Sequence, residues 1–204
     1  EYEYSYNFQN WYPSAEFETK NTATNVGLYE LTPFSKFELK GGKVYEELQK
    51  ICTANIKKEN GRCTYTQMLN SDGGIETDLT VVCISESHFR IIGAAATRER
   101  DKFHIKKHLK YNIKFNDITD EYVCLGVFGP KSRDLMNEVS EENFSNENFK
   151  FGYSKNVLIE NKKVWVQRLS YVGEIGYELY IKFSQAKLIF DKINEIGKKY
   201  NLSL

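Results

Sequence analysis

An α+β protein with largely antiparallel sheets is what the 204 residues predict. Three observations carry this. Short runs alternate apolar and polar positions and are separated by turn residues. Tight connections such as Ser71-Asp72-Gly73-Gly74 join neighbouring runs as hairpins. The elements read in the order β-α-β-β-β-α, then β-α-β-β-α, so two halves share one grammar.

The elements follow in order. The opening "EYEYSYNFQNWYPSAEFE" is aromatic without a clear period and reads as a lead-in segment over residues 1–25. With no Met at the start, either the beginning was removed or the chain is an excised piece. "VGLYELTPFSKFELKG" alternates around Ser35 to Leu39 and runs into Gly41-Gly42, a strand and then a turn. "KVYEELQKICTANI" places Val44, Leu48, Ile51 and Cys52 at helical spacing. "CTYTQMLN" and "IETDLTVVCISE" flank the hairpin loop, and "HFRIIGAAA" is a further strand. Thr97 is suited to cap the helix "RERDKFHIKKHL". "EYVCLGVFG" is mostly apolar and reads as a strand buried on both faces. Pro130 suits the first turn of the helix "PKSRDLMNEV". "EENFSNENFK" is a long polar loop, and "NVLIENKKVWVQRLSYVGEIGYELYIKF" holds two or three strands with a turn at Glu160 to Lys162. The last helix, "SQAKLIFDKINEIGKKY", sets Leu188, Ile189, Ile193 and Ile196 on one side.

Composition narrows the class. About 41% of residues are apolar, and 28 basic side chains balance 28 acidic ones. A chain of this length buries roughly 70% of its unfolded surface. Zero formal charge argues against a nucleic-acid binder, which shows a basic stripe. No apolar run approaches the ~20 residues of a membrane helix, and the opening residues lack a signal-peptide pattern. Cys52, Cys63, Cys83 and Cys124 are scattered in apolar contexts and form no CxxC pair, which predicts reduced thiols.

Two carboxylates stand out. In "IETDLTVVCIS", alternation sets Ile75, Thr77, Leu79, Val81 and Cys83 on one face and Glu76, Asp78, Thr80, Val82 and Ile84 on the other. That second face is polar at its start and apolar further on, so Asp78 sits where the strand enters a core. A carboxylate there is partly desolvated and needs a partner. A site for a cationic or amine substrate and a solvated sheet face both remain open readings. In "SYVGEIGYELY", Glu174 lies between Gly173 and Gly176 among strand-forming residues. Glycines there mark a bulge or a close ligand approach, and a carboxylate fork accepts two parallel N–H donors; an exposed hairpin Glu is the alternative. Other signals are weaker. His104 and His108 are four apart but enclose lysines where a zinc helix needs Glu, which favours a solvated face. "GVFGP" lacks the Gly-Lys pair of a phosphate loop, and Ser154 and Lys155 show no neighbouring base.

Taken together, "YTQMLNSDGGIETDLTV", "VGLYELTPFSKFELKG", "LGVFGPKSRDLM" and "SYVGEIGYELYI" resemble the folate-binding aminomethyltransferase family, the T-protein of glycine cleavage and its relatives. The likeness covers almost the whole chain from about Val26. "LTPFSKFELKG" and the upstream "QNW" are more similar to the C-terminal part of dimethylglycine and sarcosine dehydrogenases. The T-protein has Ser-His-Met-Gly where this chain has Thr32-Pro33-Phe34-Ser35, and two asparagines where it has Ala94 and Thr97. The resemblance implies a folate-binding domain over residues 26–204, in two subdomains of roughly 26–118 and 119–204. It also implies a fold cut off before the family's Gly-Leu-x-x-Arg-Asp helix and C-terminal barrel, a fragment whose activity alone is in doubt.

What the resemblance implies for function is transfer of a one-carbon unit to tetrahydrofolate, giving 5,10-methylenetetrahydrofolate. The donor would be dimethylglycine, sarcosine or another aminomethyl compound. Asp78 matches the family's catalytic aspartate in Gly-Gly-Ile-x-x-Asp. Glu174 is matched to the glutamate that holds the pterin, Tyr65 to an aromatic wall, and Thr80 and Phe34 to further folate contacts; no metal is implied. FAD would belong to an upstream flavin dehydrogenase domain of a parent chain, and the location would be the bacterial cytoplasm or the mitochondrial matrix. The alternatives within the same fold are a sulfonium-compound demethylase making 5-methyltetrahydrofolate and a non-catalytic folate-binding or assembly protein. The latter carry a Lys-Gly-Cys-Tyr-type motif not found in this sequence.

Overall fold

The computed structural model describes residues 1–56 and 59–204. The elements are α1 (Tyr12–Thr24), β1 (Val26–Glu30), β2 (Ser35–Lys40), α2 (Val44–Ile51), β3 (Cys63–Leu69), β4 (Ile75–Ser85), β5 (His88–Gly93), α3 (Arg98–His108), β6 (Lys114–Asp117), β7 (Tyr122–Phe128), α4 (Ser132–Val139), β8 (Ser154–Ile159), β9 (Lys162–Gln167), β10 (Gly176–Lys182), α5 (Ala186–Gly197) and β11 (Leu202–Ser203). They build two sheets, one ordered β11-β1-β7-β10-β9-β8 and the other β3-β4-β5-β2-β6. The β1–β11 pairing is parallel and the other pairings among the described strands are antiparallel.

The α+β expectation with mainly antiparallel sheets therefore holds, and the faces of β4 explain how the sheets meet. Leu79, Val81 and Cys83 pack against α2 and α3 with Phe37, Leu48, Phe89 and Ile105. The opposite face of that sheet, through Cys63, Val82 and Ile92, meets Cys124, Trp165 and Tyr180 of the other sheet. The six-stranded sheet turns its own outer face to α4 and α5 through Val127, Leu135, Met136, Leu179, Ile189 and Ile193. Each sheet thus buries one face under helices and the other against its partner, which explains why β7, central in its sheet, reads as apolar throughout.

Several elements differ from the sequence reading. "VGLYELTPFSKFELKG" is two strands in two sheets: β1 pairs with β7, whereas β2 lies between β5 and β6. Residues 31–34 cross between the sheets. The lead-in contains α1, which no apolar period announces because only Thr22 of it is buried. Side-chain hydrogen bonds hold it instead. Asn21 Nδ2 donates to the Asn201 carbonyl at 2.8 Å and to Ser203 Oγ at 2.9 Å, and the Thr22 and Tyr29 hydroxyls meet at 2.6 Å. Thr97 stands at the N-cap of α3, but its hydroxyl donates to Asp101 Oδ2 at 2.6 Å and not to a backbone N–H. Pro130 precedes α4, which begins at Ser132. Cys52 ends α2 in an extended conformation, and Leu188 is exposed while Ile189 and Ile193 are buried. The hairpin loop before β4 is held as its chemistry predicts: Asn70 Oδ1 accepts from the backbone N–H of Asp72 and of Gly74, and Gly73 takes φ +81°. Glu160 and Asn161 form the expected turn with positive φ at both.

Candidate functional site

A cavity of about 170 Å³ opens where the apolar seam between the sheets ends. Asp78, Leu79 and Thr80 of β4 form one side, and Ile92, Gly93 and Ala94 at the end of β5 form its floor. Tyr65 reaches in from β3, where it is the cross-strand partner of Thr80. Phe34, from the crossing between the sheets, and Tyr171, from the loop before β10, supply two aromatic walls. Glu178 of β10 closes the cavity from the six-stranded sheet. The lining therefore comes from both sheets.

Its two carboxylates sit in opposite surroundings. Asp78 is exposed, and its Oδ2 accepts the Tyr65 hydroxyl at 2.7 Å. That bond raises the Tyr65 phenol above its ordinary pKa. Tyr65 is itself 53% exposed, so the pair lies at the mouth. Glu178 is 3% exposed. Its side-chain hydrogen bond among the described residues comes from the Tyr180 hydroxyl, 2.7 Å from Oε2. Burial pushes the Glu178 carboxyl above the ordinary carboxylate range, opposed only by that hydroxyl. A buried carboxylate without a cation is costly. One that lines a cavity is suited to a ligand that brings its own N–H donors.

Gly93 has a steric reason. It lies across from Leu79 on one side and Ser35 on the other, and a Cβ there would stand 2.9 Å from Ser35 Oγ. Behind it, the fully buried Asp101 takes hydroxyl hydrogen bonds from Thr77 and Thr97.

Four of the sequence-derived candidates, Phe34, Tyr65, Asp78 and Thr80, thus come together around one cavity. Glu174 does not join them among the lining residues; it lies in the loop before β10, outside a strand. The carboxylate that faces the cavity is four residues on, at Glu178. The sequence held a signal for it, a single charged residue inside the apolar strand "GYELYI", which is buried nearly throughout. Asp78 is also less enclosed than its strand pattern suggests, because the seam opens at Thr80. The His104 and His108 rings lie 4.5 Å apart with their planes tilted by 52°, and His108 Nδ1 contacts the His104 carbonyl. No cluster of three or more His, Cys, Asp or Glu suited to a metal is present among the described residues. All four cysteines are free and buried. No helix among the described residues is long and apolar enough to cross a membrane.

The family described as "GCVT N-terminal domain" matches residues 1–204. The chain belongs to this family. The GCVT domain is 33% identical over 204 residues to 4-methylaminobutanoate oxidase (formaldehyde-forming) of Paenarthrobacter nicotinovorans, covering 100% of the chain and 25% of that protein. It is 30% identical over 202 residues to mitochondrial dimethylglycine dehydrogenase of Rattus norvegicus, covering 98% of the chain and 24% of the relative. It is also 30% identical over 202 residues to an aminomethyltransferase of a Thermoanaerobacter species, covering 96% and 55%. The chain spans about a quarter to about half the length of these relatives. Among solved structures, aminomethyltransferase T of the glycine cleavage system from Bartonella henselae superposes with a TM-score of 0.82 at 18% identity, over 100% of the chain and 55% of that structure. A chain of heterotetrameric sarcosine oxidase from Corynebacterium sp. U-96 gives 0.68 at 11% identity, over 94% and 96%. At these identities the two structures speak for the GCVT fold alone.

Proposed function

We propose that the cavity between the sheets binds the pterin ring of tetrahydrofolate and that the domain takes up a formaldehyde-level one-carbon unit from an aminomethyl or iminium donor, which an N-methyl amine becomes only after a two-electron oxidation by a flavin dehydrogenase domain. The observation that carries this reading is Glu178, a buried carboxylate with no cation paired to it among the described residues, facing a cavity lined by Phe34, Tyr171 and Ile92. A pterin edge offers an amino group beside a ring N–H, the donor pair that a carboxylate accepts as a fork. At about 170 Å³ the cavity lies below the roughly 300–1,000 Å³ of pockets that enclose a whole drug-sized ligand. It suits one ring system, with the rest of the folate outside it.

Tetrahydrofolate, when bound, supplies the nucleophilic amine that takes up the one-carbon unit. The chain's residues have separate tasks. Glu178 accepts the pterin's donors and fixes its orientation. Phe34, Tyr171 and Ile92 cover the ring and exclude water. Asp78 sits at the mouth, where the amine donor arrives. Its carboxylate stabilises positive charge on the donor carbon–nitrogen unit and accepts the proton released by the attacking amine. Tyr65 holds Asp78 in place by donating to Oδ2. The relatives named for dimethylglycine and 4-methylaminobutanoate, a dehydrogenase and an oxidase, support as the donor class an N-methyl amine already oxidised to its iminium.

The test is methylenetetrahydrofolate production from donor and tetrahydrofolate by the intact protein, wild type against Asp78→Asn. Losing a charge-stabilising group of this kind raises the barrier by ~3 kcal/mol or more, so a drop of at least about a hundredfold with unchanged melting is expected. Wild-type turnover in the variant would remove Asp78 from the mechanism.

A further inference from the structure

A carboxylate that is to meet a ligand's donor pair needs a neighbour that aims it. Glu178 and Tyr180 lie two residues apart on β10, so both face the seam between the sheets. The cross-strand partners of Glu178 are Gly126, which has no side chain, and the uncharged Gln167. Tyr180 is fully buried, and its ring stacks on Trp165 at 4.2 Å with planes 26° apart. Arg90, from β5 of the other sheet, lies 4.3 Å over the Trp165 ring. A column of Arg90, Trp165 and Tyr180 therefore crosses the seam and ends in a hydroxyl 2.7 Å from Glu178 Oε2.

We infer that Tyr180 is the positioning residue of the pocket carboxylate: its hydroxyl holds Glu178 Oε2, which turns the remaining acceptor sites toward the ligand. This rests on the reading that Glu178 meets the pterin. Burial and the neighbouring Glu178 push the Tyr180 phenol well above its ordinary pKa, so it stays a donor. Among the described residues, the other titratable groups that face Glu178 are Tyr171 from the preceding loop, Cys124 of β7, Cys63 of β3 and, lining the same cavity, Asp78 of β4 and Tyr65 of β3. Lys36 of β2 is near enough to Cys124 to interact with it electrostatically, and its ammonium donates to the carbonyls of Thr32 and Phe34. Burial raises both thiols, so they stay neutral across the range in which a carboxyl titrates.

The experiment measures affinity for 5-formyltetrahydrofolate, a stable reduced folate, against pH in the intact protein. Wild type, Tyr180→Phe and Glu178→Gln are compared. Phenylalanine keeps the stack and removes only the donor. Tyr180→Phe is expected to bind about tenfold more weakly near neutral pH. Its loss of binding on acidification should begin at higher pH, because the anion has lost its stabilising donor. Glu178→Gln should show weak binding without that acid limb. A structural role for Tyr180 would lower the melting temperature and leave the limb in place. If Tyr180→Phe fails to fold, Trp165→Phe, which loosens the stack but keeps the hydroxyl, should move the limb in the same direction by less. An unmoved limb, with Glu178→Gln still defective, overturns the inference alone. Wild-type affinity in Glu178→Gln, or no binding by the wild type, overturns the function reading and the inference with it.

Discussion

Replacing Glu178 with Gln should weaken folate binding while leaving the fold at least as stable as before. The two effects have one cause. The wild-type carboxylate is buried, has no cation beside it among the described residues, and titrates above its ordinary value of 4.5 because burial penalises the charge. Between 4.5 and the raised folded value the native state holds more protons than the unfolded chain. Stability therefore falls as pH rises through that window and stays lower above it. Glutamine has no charge to bury and keeps an oxygen for the Tyr180 hydroxyl, so the variant should not show this fall. Binding moves the other way. The amide presents N–H groups where the ligand also presents N–H groups. One charge-assisted bond of about 1.5–3 kcal/mol is lost, roughly a ten- to hundredfold weakening in Kd. Calorimetric titration with a reduced folate gives the affinity, and thermal melts from about pH 4 to pH 8 give the stability, spanning the carboxyl range. A variant that binds like wild type would remove Glu178 from the ligand, and one whose stability falls with pH in parallel with wild type would show that its buried charge is not the cause.

Three further expectations follow from the packing. Gly176→Ala would place a Cβ 2.1 Å from Phe128 Cδ1, and Phe128 is buried, so overpacking of about 1–3 kcal/mol should appear in urea unfolding; an unchanged midpoint would contradict the fit. Lys36 is fully buried, donates to the carbonyls of Thr32 and Phe34, and has its pKa lowered by burial. Between that lowered value and the ordinary 10.5 the unfolded state binds more protons, so wild type should gain stability relative to Lys36→Met as pH rises through this window, and parallel alkaline melts of the two proteins would rule this out. All four cysteines are buried, and burial pushes the Cys52 thiol up to about 12; a thiol-titrating reagent should find no reactive cysteine in the native protein and four in denaturant, and native-state reaction without unfolding would contradict the burial.

Much of the fold was legible because it rests on alternation. The faces of β4 could be assigned residue by residue, since both are buried for most of their length and switch character only near Asp78. What escaped lacks an apolar period. Helix α1 is anchored by Asn21 and Thr22 hydrogen bonds, which leave no hydrophobic stripe. β1 joins the sheet of the later strands through long-range pairing with β7 and β11, which local pattern does not report. The site was legible in the same uneven way. Tyr65, Asp78 and Thr80 lie on adjacent strands of one hairpin, so their proximity follows from register. Glu178 lies on the other sheet, and only the seam brings it to the same cavity. The glycines beside Glu174 drew attention to the loop, whereas the carboxylate that lines the cavity, Glu178, sits inside the strand it leads into.

The most direct test of the central claim is a crystal structure of the intact protein with 5-formyltetrahydrofolate. The pterin ring is expected in the cavity between Phe34, Tyr171 and Ile92. Its amino group and ring N–H should lie within hydrogen-bond reach of Glu178, about 2.6–3.2 Å, with Asp78 beside the part of the ligand that carries the one-carbon unit. A pterin bound elsewhere on the molecule, with Glu178 uncontacted, would contradict it.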